Sequence, residues 1–338
     1  MAQTQTRPGP RPRSQDARAH RRTWSSGSLG ALLTAPTFIV LAVVVLYPAL
    51  SAVRQSLYGA PGLDPDTGFV SDTDPFVGLE NYLAVFTENG ARFWNAFANT
   101  LFFTVTAVSL ETVLGVLMAL VMARALRGRA VVRASILIPW AVPTAVAALL
   151  WRWIFNADGV ANALLPGQVL WTAEGVQAQM AVIIAEVWKT SPFIGLLVLA
   201  GLQMIPGEVY EAARVDGASA WARFWHITLP MVRPALLVAV LFRVLDTMRM
   251  FDMPYVLIGP RKSSVETLSM LAQDEAANVR FGPASAYAVL LFLLVFLIAF
   301  TFVKLLGADV VGEDGAKERP RRPLGARLLH RTAKGDAR

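Results

Sequence analysis

Long apolar runs alternate along the chain with shorter polar intervals. The runs cover about residues 30–53, 96–122, 135–155, 180–202, 234–258 and 284–306. Each reaches the ~20 residues that cross ~30 Å of hydrocarbon at ~1.5 Å per residue. The pattern predicts an all-α membrane protein with six transmembrane helices. Residues 1–28 are rich in Arg, Pro and Ser and predict a disordered basic tail. A basic tail before an apolar run also describes a signal peptide. The first run is too long for a short h-region and lacks a convincing cleavage site, so it reads as a retained span. The expected organisation is a tail over 1–28, a six-span bundle over 29–306 and a second basic tail over 307–338.

Composition agrees with the pattern. Only 16% of the 338 residues are charged and 55% are hydrophobic, against roughly 25% charged in soluble domains. Cysteine is absent, and three histidines leave little for a metal site. The net charge of +7 would suggest nucleic acid in a soluble protein. Here it is explained by location. Arg7, Arg11, Arg13, Arg18, Arg21 and Arg22 precede the first run, Arg124, Arg127, Arg129 and Arg133 follow the second, and Arg319 to Lys334 fill the last tail. The interval after the first run is acidic, with Asp64, Asp66, Asp72, Asp74, Glu80 and Glu88, and the one after the third has no Lys or Arg. By the positive-inside rule both termini lie in the cytoplasm. The interval after the fifth run is ambiguous: Arg261, Lys262 and Arg280 stand against Glu266, Asp274 and Glu275. No nucleic-acid partner is expected, and the bilayer is the first partner implied.

The same rule puts residues 206–230 on the cytoplasmic side. Pro206-Gly207 break the preceding helix, residues 208–215 are mostly good helix formers, and Gly217 interrupts them. Residues 218–226 can form a second short helix, which Leu229-Pro230 should end. Taken alone, this helix–turn–helix fits either a partner's groove or an aromatic helix resting on lipid headgroups.

Ionisable residues inside spans are costly and usually face a bundle interior or a wet cavity. Span four carries Glu186, Lys189 and Thr190, and span five carries Arg243, Asp246, Thr247 and Met250, each set within a helical turn or two. These faces are expected in the middle or cytoplasmic half of their spans. They suit a polyhydroxylated ligand, with Trp140 and Trp188 available to stack on a sugar ring. The competing reading pairs Arg243 with Asp246 and Glu186 with Lys189 as structural i, i+3 ion pairs. Arg249 and Asp252 read as structural. Glu111, a lone carboxylate in span two, reads as an inter-helix hydrogen-bond partner rather than a proton relay. Pro139 and Pro143 predict a kink in span three.

A resemblance enters at Glu211-Ala212-Ala213, Gly217, Ile227 and Leu229-Pro230. Glu-Ala-Ala, three residues, Gly, nine residues, Ile, one residue, Leu-Pro resembles the cytoplasmic signature of permease subunits of binding-protein-dependent ABC importers. With Asp216 and Ala218 beside the glycine, it is similar to the maltose and glycerol-phosphate branch. Supporting segments run from Phe76-Val77-Gly78-Leu79-Glu80-Asn81-Tyr82 to Tyr255-Val256-Leu257, so only the tails lie outside the likeness. Within the branch, residues 186–190 and 241–246 look most like trehalose-importer permeases.

The resemblance implies a type I ABC importer permease fold in a bacterial-type inner membrane. It implies that residues 206–230 are a coupling loop for a cytoplasmic ATPase, through Glu211, Ala212, Ala213, Asp216 and Gly217. Sugar-lining positions carry over onto Trp140, Thr144, Glu186, Lys189, Thr190, Asp246, Thr247 and Met250, and Arg243 joins them from the residue reading. Charged residues replace the maltose-type Asn, Leu and aromatics, which disfavours maltose itself. The implied partners are a second homologous permease, two ATPase subunits and an extracytoplasmic sugar-binding protein. The chain has no G-x-x-x-x-G-K-[ST] loop, so it needs no cofactor of its own, and ATP and magnesium would sit on the partner ATPase. Two other classes remain open: an ion-gradient-driven secondary transporter using the intramembrane acids, and a membrane anchor without transport.

Overall fold

The computed structural model describes residues 26–59, 74–124 and 128–311. The predicted disordered tails at 1–28 and 307–338 fall mostly outside the described residues, as do Asp64, Asp66, Asp72 and Arg127. The chain divides into two compact units, residues 1–51 and 52–338.

The first unit holds one helical run: α1 (Ser26–Leu41), a π-helical segment (Ala42–Leu46) and the start of α2 (Tyr47–Gln55). From Gly30 to Leu50 every residue except Ala35 is exposed. Twenty-six apolar-rich residues from Gly30 to Gln55 are long enough to cross a membrane. Hydrocarbon is the solvent that satisfies such a surface, because a helix already pairs its own backbone groups.

The second unit continues with α3 (Glu80–Phe86), α4 (Gly90–Ala123), α5 (Arg129–Ala141), α6 (Thr144–Ile154), α7 (Val160–Ala163) and α8 (Val176–Gln203). It ends with α9 (Gly207–Val215), α10 (Ala220–Arg223), α11 (Leu229–Thr247), α12 (Asp252–Leu257), α13 (Leu268–Ala277) and α14 (Phe281–Val311). Among the described residues five helices are long and apolar enough to span a bilayer, and six if α5 and α6 count as one bent span.

Two elements depart from the sequence expectation. The third span does not merely kink: α5 and α6 meet at 95°. Pro143 lacks the N–H that would continue α5, and its fixed φ holds the extended link between the helices. The fifth span is shifted toward the N-terminus. Leu229-Pro230 does not end the second short helix. α10 runs through a π-helical segment (Phe224–Thr228) into α11, giving one 28-residue helix, Ala220–Thr247. The wider π turn just before Pro230 accommodates the missing donor, so the proline is absorbed instead of terminating the helix.

α4 and α8 pack closely because Gly115 faces Ile194. A Cβ on Gly115 would sit 2.7 Å from Ile194 Cβ and 3.0 Å from the Ser191 carbonyl oxygen. Small residues let membrane helices approach in this way. Two apolar layers result. One gathers Phe103, Ala107, Ala185, Val187, Met250 and Leu257, and the other Ala119, Met122, Ile194, Val198, Val232 and Ala239. On α4 and α8, Glu111, Lys189 and Thr190 fall between these layers, and Glu186 stands at the edge of the first.

Most of the ambiguous charges after span five are paired, either with one another or with Arg92 at the start of α4. Arg92 donates from Nε to Glu266 Oε2 at 2.9 Å and from Nη2 to Asp274 Oδ2 at 2.9 Å. Arg261 Nε donates to Asp274 Oδ1 at 2.9 Å. Charges spent on each other carry little topological signal. Burial alone would raise the Asp274 carboxyl, but the hydrogen bonds from Arg92 and Arg261 outweigh it and hold Asp274 below the ordinary carboxylate range.

Candidate functional site: a buried ionic layer and an exposed elbow

Arg243 on α11 is the centre of the polar layer. Its Nε donates to Glu111 Oε2 at 2.7 Å and its Nη2 to Glu111 Oε1 at 3.1 Å. Nη2 also reaches Glu186 Oε1 at 2.9 Å, and Nη1 reaches Asp246 Oδ2 at 2.6 Å. Three carboxylates from three helices therefore share one guanidinium. The Thr190 hydroxyl lies 2.7 Å from Glu111 Oε1 and 2.6 Å from the Glu186 carbonyl oxygen, with one proton to share between them. Thr247 Oγ1 donates to the Arg243 carbonyl at 2.8 Å and accepts from Nη2 at 3.1 Å. Arginine suits the position because its planar fork offers five fixed donors.

Burial separates the roles. Glu111 is 0% exposed and Arg243 3%, whereas the Asp246 side chain is 56% exposed. Asp246 opens onto a cleft of about 440 Å³ lined by Trp140, Phe193, Phe242, Arg243, Leu245, Arg249 and Val295. The Trp140 and Phe193 rings lie 5.9 Å apart between centroids, and Arg249 stands 3.7 Å from Asp246 Oδ1. An aromatic face beside a carboxylate and a guanidinium is chemistry that binds hydroxylated rings.

Of the sequence-selected positions, Glu186, Thr190, Arg243, Asp246 and Thr247 converge on this layer, and Trp140 shares the cleft. Thr144 is half-buried at the start of α6. Met250 lies in the apolar core. Lys189 is buried on α8 and makes no ion pair among the described residues. The Arg243–Asp246 i, i+3 pair is present, but Glu186 pairs with Arg243 and not with Lys189. Glu111 makes the inter-helix bonds expected of it, to two helices at once. Sequence reading gave no sign that it is the principal partner of Arg243. Its one signal was a carboxylate in an apolar span with no partner a turn away. On α8 the residues Glu186, Lys189 and Thr190 stand near the middle of the helix, as expected, but the expected depth is corrected for the fifth span. Because α11 ends at Thr247, Arg243 stands 23 residues from Ala220, roughly 35 Å along the helix. The layer lies toward the end of the fifth span away from the elbow.

The elbow joins α8 to α11. α9 and α10 meet at a turn in which Gly217 adopts φ +75°, a left-handed conformation that costs other residues strain. Ser219 caps α10, accepting from the Ala222 N–H at 3.2 Å. Ala213 is buried, and Tyr210 Oη lies 3.1 Å from Thr228 Oγ1, tying α9 to the start of α11. Glu211, Ala212, Asp216 and Gly217 are exposed. Trp221 and Phe224 stack, Trp225 meets both edge-on, and Trp221 and Trp225 are exposed.

A bundle of membrane-length helices with a buried ionic layer and an exposed elbow is a multi-pass membrane protein of the transport type. The chain belongs to the family of binding-protein-dependent transport system inner membrane components, whose match runs over residues 111–311. It is 40% identical over 288 residues to the trehalose/maltose transport system permease protein MalF of Thermococcus litoralis, covering 83% of this chain and 94% of that protein. It is also 40% identical over 289 residues to the trehalose transport system permease protein SugA of Mycobacterium tuberculosis, covering 85% and 91%. Among solved structures it shares its fold with a bacterial alginate ABC transporter in complex with an alginate pentasaccharide-bound periplasmic protein. That likeness has a TM-score of 0.71 at 19% identity, over 86% of this chain and 99% of the other. The fold is that of type I ABC importer permeases.

Proposed function

We propose that this chain is a permease subunit of an ATP-driven ABC sugar importer, and that with a second homologous permease it forms the path for a disaccharide. Trehalose is the favoured cargo and a maltose-like sugar the next. The observation that carries the reading is a physical connection: α8 and α11 bear the Glu186–Arg243–Asp246 layer and are joined by the exposed α9–α10 elbow. The names of the two 40% identical relatives favour trehalose. An extracytoplasmic binding protein delivers the sugar, and two ATPase subunits on separate chains supply the force. Both chain termini lie in the cytoplasm, and the protein resides in the inner membrane of the cell.

In this reading the elbow docks in a groove of the ATPase. Ala212 allows close approach, and Glu211 supplies a charged hydrogen bond to a basic residue there. Movement of the elbow is carried along α11 and α8 to the ionic layer. Trp140, Lys189, Asp246 and neighbouring hydroxyls meet the sugar as it passes.

Purification of the assembled transporter tests the docking. Glu211→Ala removes a charged hydrogen bond worth ~1.5–3 kcal/mol, so ATPase association should weaken about tenfold or more while membrane insertion persists. Unchanged association would remove the elbow from the interface. Uptake of labelled trehalose by Asp246→Asn and Lys189→Met variants tests the path, and wild-type uptake in both would refute the pocket.

A further inference from the structure

Glu111 lies too deep to meet any sugar, yet its two oxygens take three of the layer's hydrogen bonds. The paired bonds from Arg243 Nε and Nη2 fix the plane of the guanidinium, because a planar fork held at two points cannot rotate. With that plane fixed, Nη1 is directed at Asp246 Oδ2, 2.6 Å away, on the wall of the cleft. We propose that Glu111 is a positioning residue for the transported sugar: acting through Arg243, it sets where the Asp246 carboxylate stands in the cleft. The inference rests on the reading of the cleft as the sugar path. A carboxylate is required because Glu111 faces three donors. Glutamine would turn an NH₂ group toward one of them, leaving two donors opposed in a dry site. The guanidinium would then tilt toward Glu186 and draw Asp246 with it.

The test is the amount of labelled trehalose moved per ATP hydrolysed, in vesicles holding the whole transporter and supplied with its binding protein. A purely structural defect removes active complexes and lowers uptake and hydrolysis together, leaving the ratio unmoved. Glu111→Gln should lower the ratio at least ~5-fold, as misplaced binding groups do. Asp246→Asn should lower it as well, and the double variant should be no worse than Asp246→Asn alone, because both act along one chain of contacts. A wild-type ratio for Glu111→Gln beside a reduced one for Asp246→Asn overturns the role of Glu111 and leaves the sugar path standing. So does a double variant whose defect is the product of the two. A wild-type ratio for Asp246→Asn overturns the sugar path itself. Should Glu111→Gln fail to assemble, Arg243→Lys serves the same purpose. It keeps the cation but loses the fork, so its defect should likewise be masked by Asp246→Asn.

Discussion

Arg243 bonds three carboxylates, two of them enclosed in the interior of the second unit, so it is the residue on which the layer's stability turns. Removing the only cation among the described residues that bonds Glu111 and Glu186 strands two buried charges. Arg243→Met should therefore destabilise the protein by ~3–5 kcal/mol, the usual cost of breaking a buried pair. Thermal unfolding of the detergent-solubilised protein measures this, and adding Glu111→Gln should recover part of the loss. Asp274 gives a prediction of a different kind. Its folded-state carboxyl titrates below the ordinary range. Its contribution is present at neutral pH, above the unfolded-state value, and fades as pH falls through the depressed folded-state value. Asp274→Asn should accordingly lower stability at pH 7 and flatten the acid limb of a stability-against-pH curve. At this scale the sequence was half legible. An i, i+3 pair is visible in a string of letters, so Arg243–Asp246 could be anticipated. The bond between Arg243 and Glu111 spans 132 residues, and only helix packing brings those two together. Glu186 likewise pairs across 57 residues with Arg243 and not with its near neighbour Lys189.

Helices were more readable than their ends. Hydropathy located every apolar run, because a bilayer demands unbroken apolar length of any segment that crosses it. It misplaced the fifth span, since the aromatic stretch Phe224–Thr228 has the polar flanks of a loop but forms a π segment continuous with α11. It also understated the break at Pro143, where composition reveals a missing donor but not an angle. The two glycines discussed above should respond differently to substitution. Gly217→Ala meets no atom within 4 Å, so only left-handed backbone strain of ~1–2 kcal/mol remains. The elbow should keep its place, with a modest loss of ATPase association. Gly115→Val forces a side chain into Ile194 and the Ser191 carbonyl. Overpacking costs ~1–3 kcal/mol or more, and parting α4 from α8 would also stretch the Glu111–Thr190 bond. Unfolding in detergent should show a clear stability loss for Gly115→Val and a small one for Gly217→Ala.

For the molecule as a transporter, the decisive matter is where its energy comes from. A secondary transporter would need a carboxylate free to bind and release an ion. Here Glu111 and Glu186 are engaged by Arg243 and enclosed, which fits a structural layer better than an ion shuttle. A mere anchor would need no charged layer connected to its docking elbow. The elbow was the most legible part, because its helix–turn–helix is set by local residues at fixed spacing, with Gly217 at the turn. The pocket was less so, because it is assembled from four helices. The most direct test is labelled-trehalose accumulation by vesicles containing both permeases, the ATPase and the binding protein. Uptake should require ATP and the ATPase subunits and survive the collapse of ion gradients. Accumulation that follows an imposed ion gradient, with no ATPase present, would contradict the account.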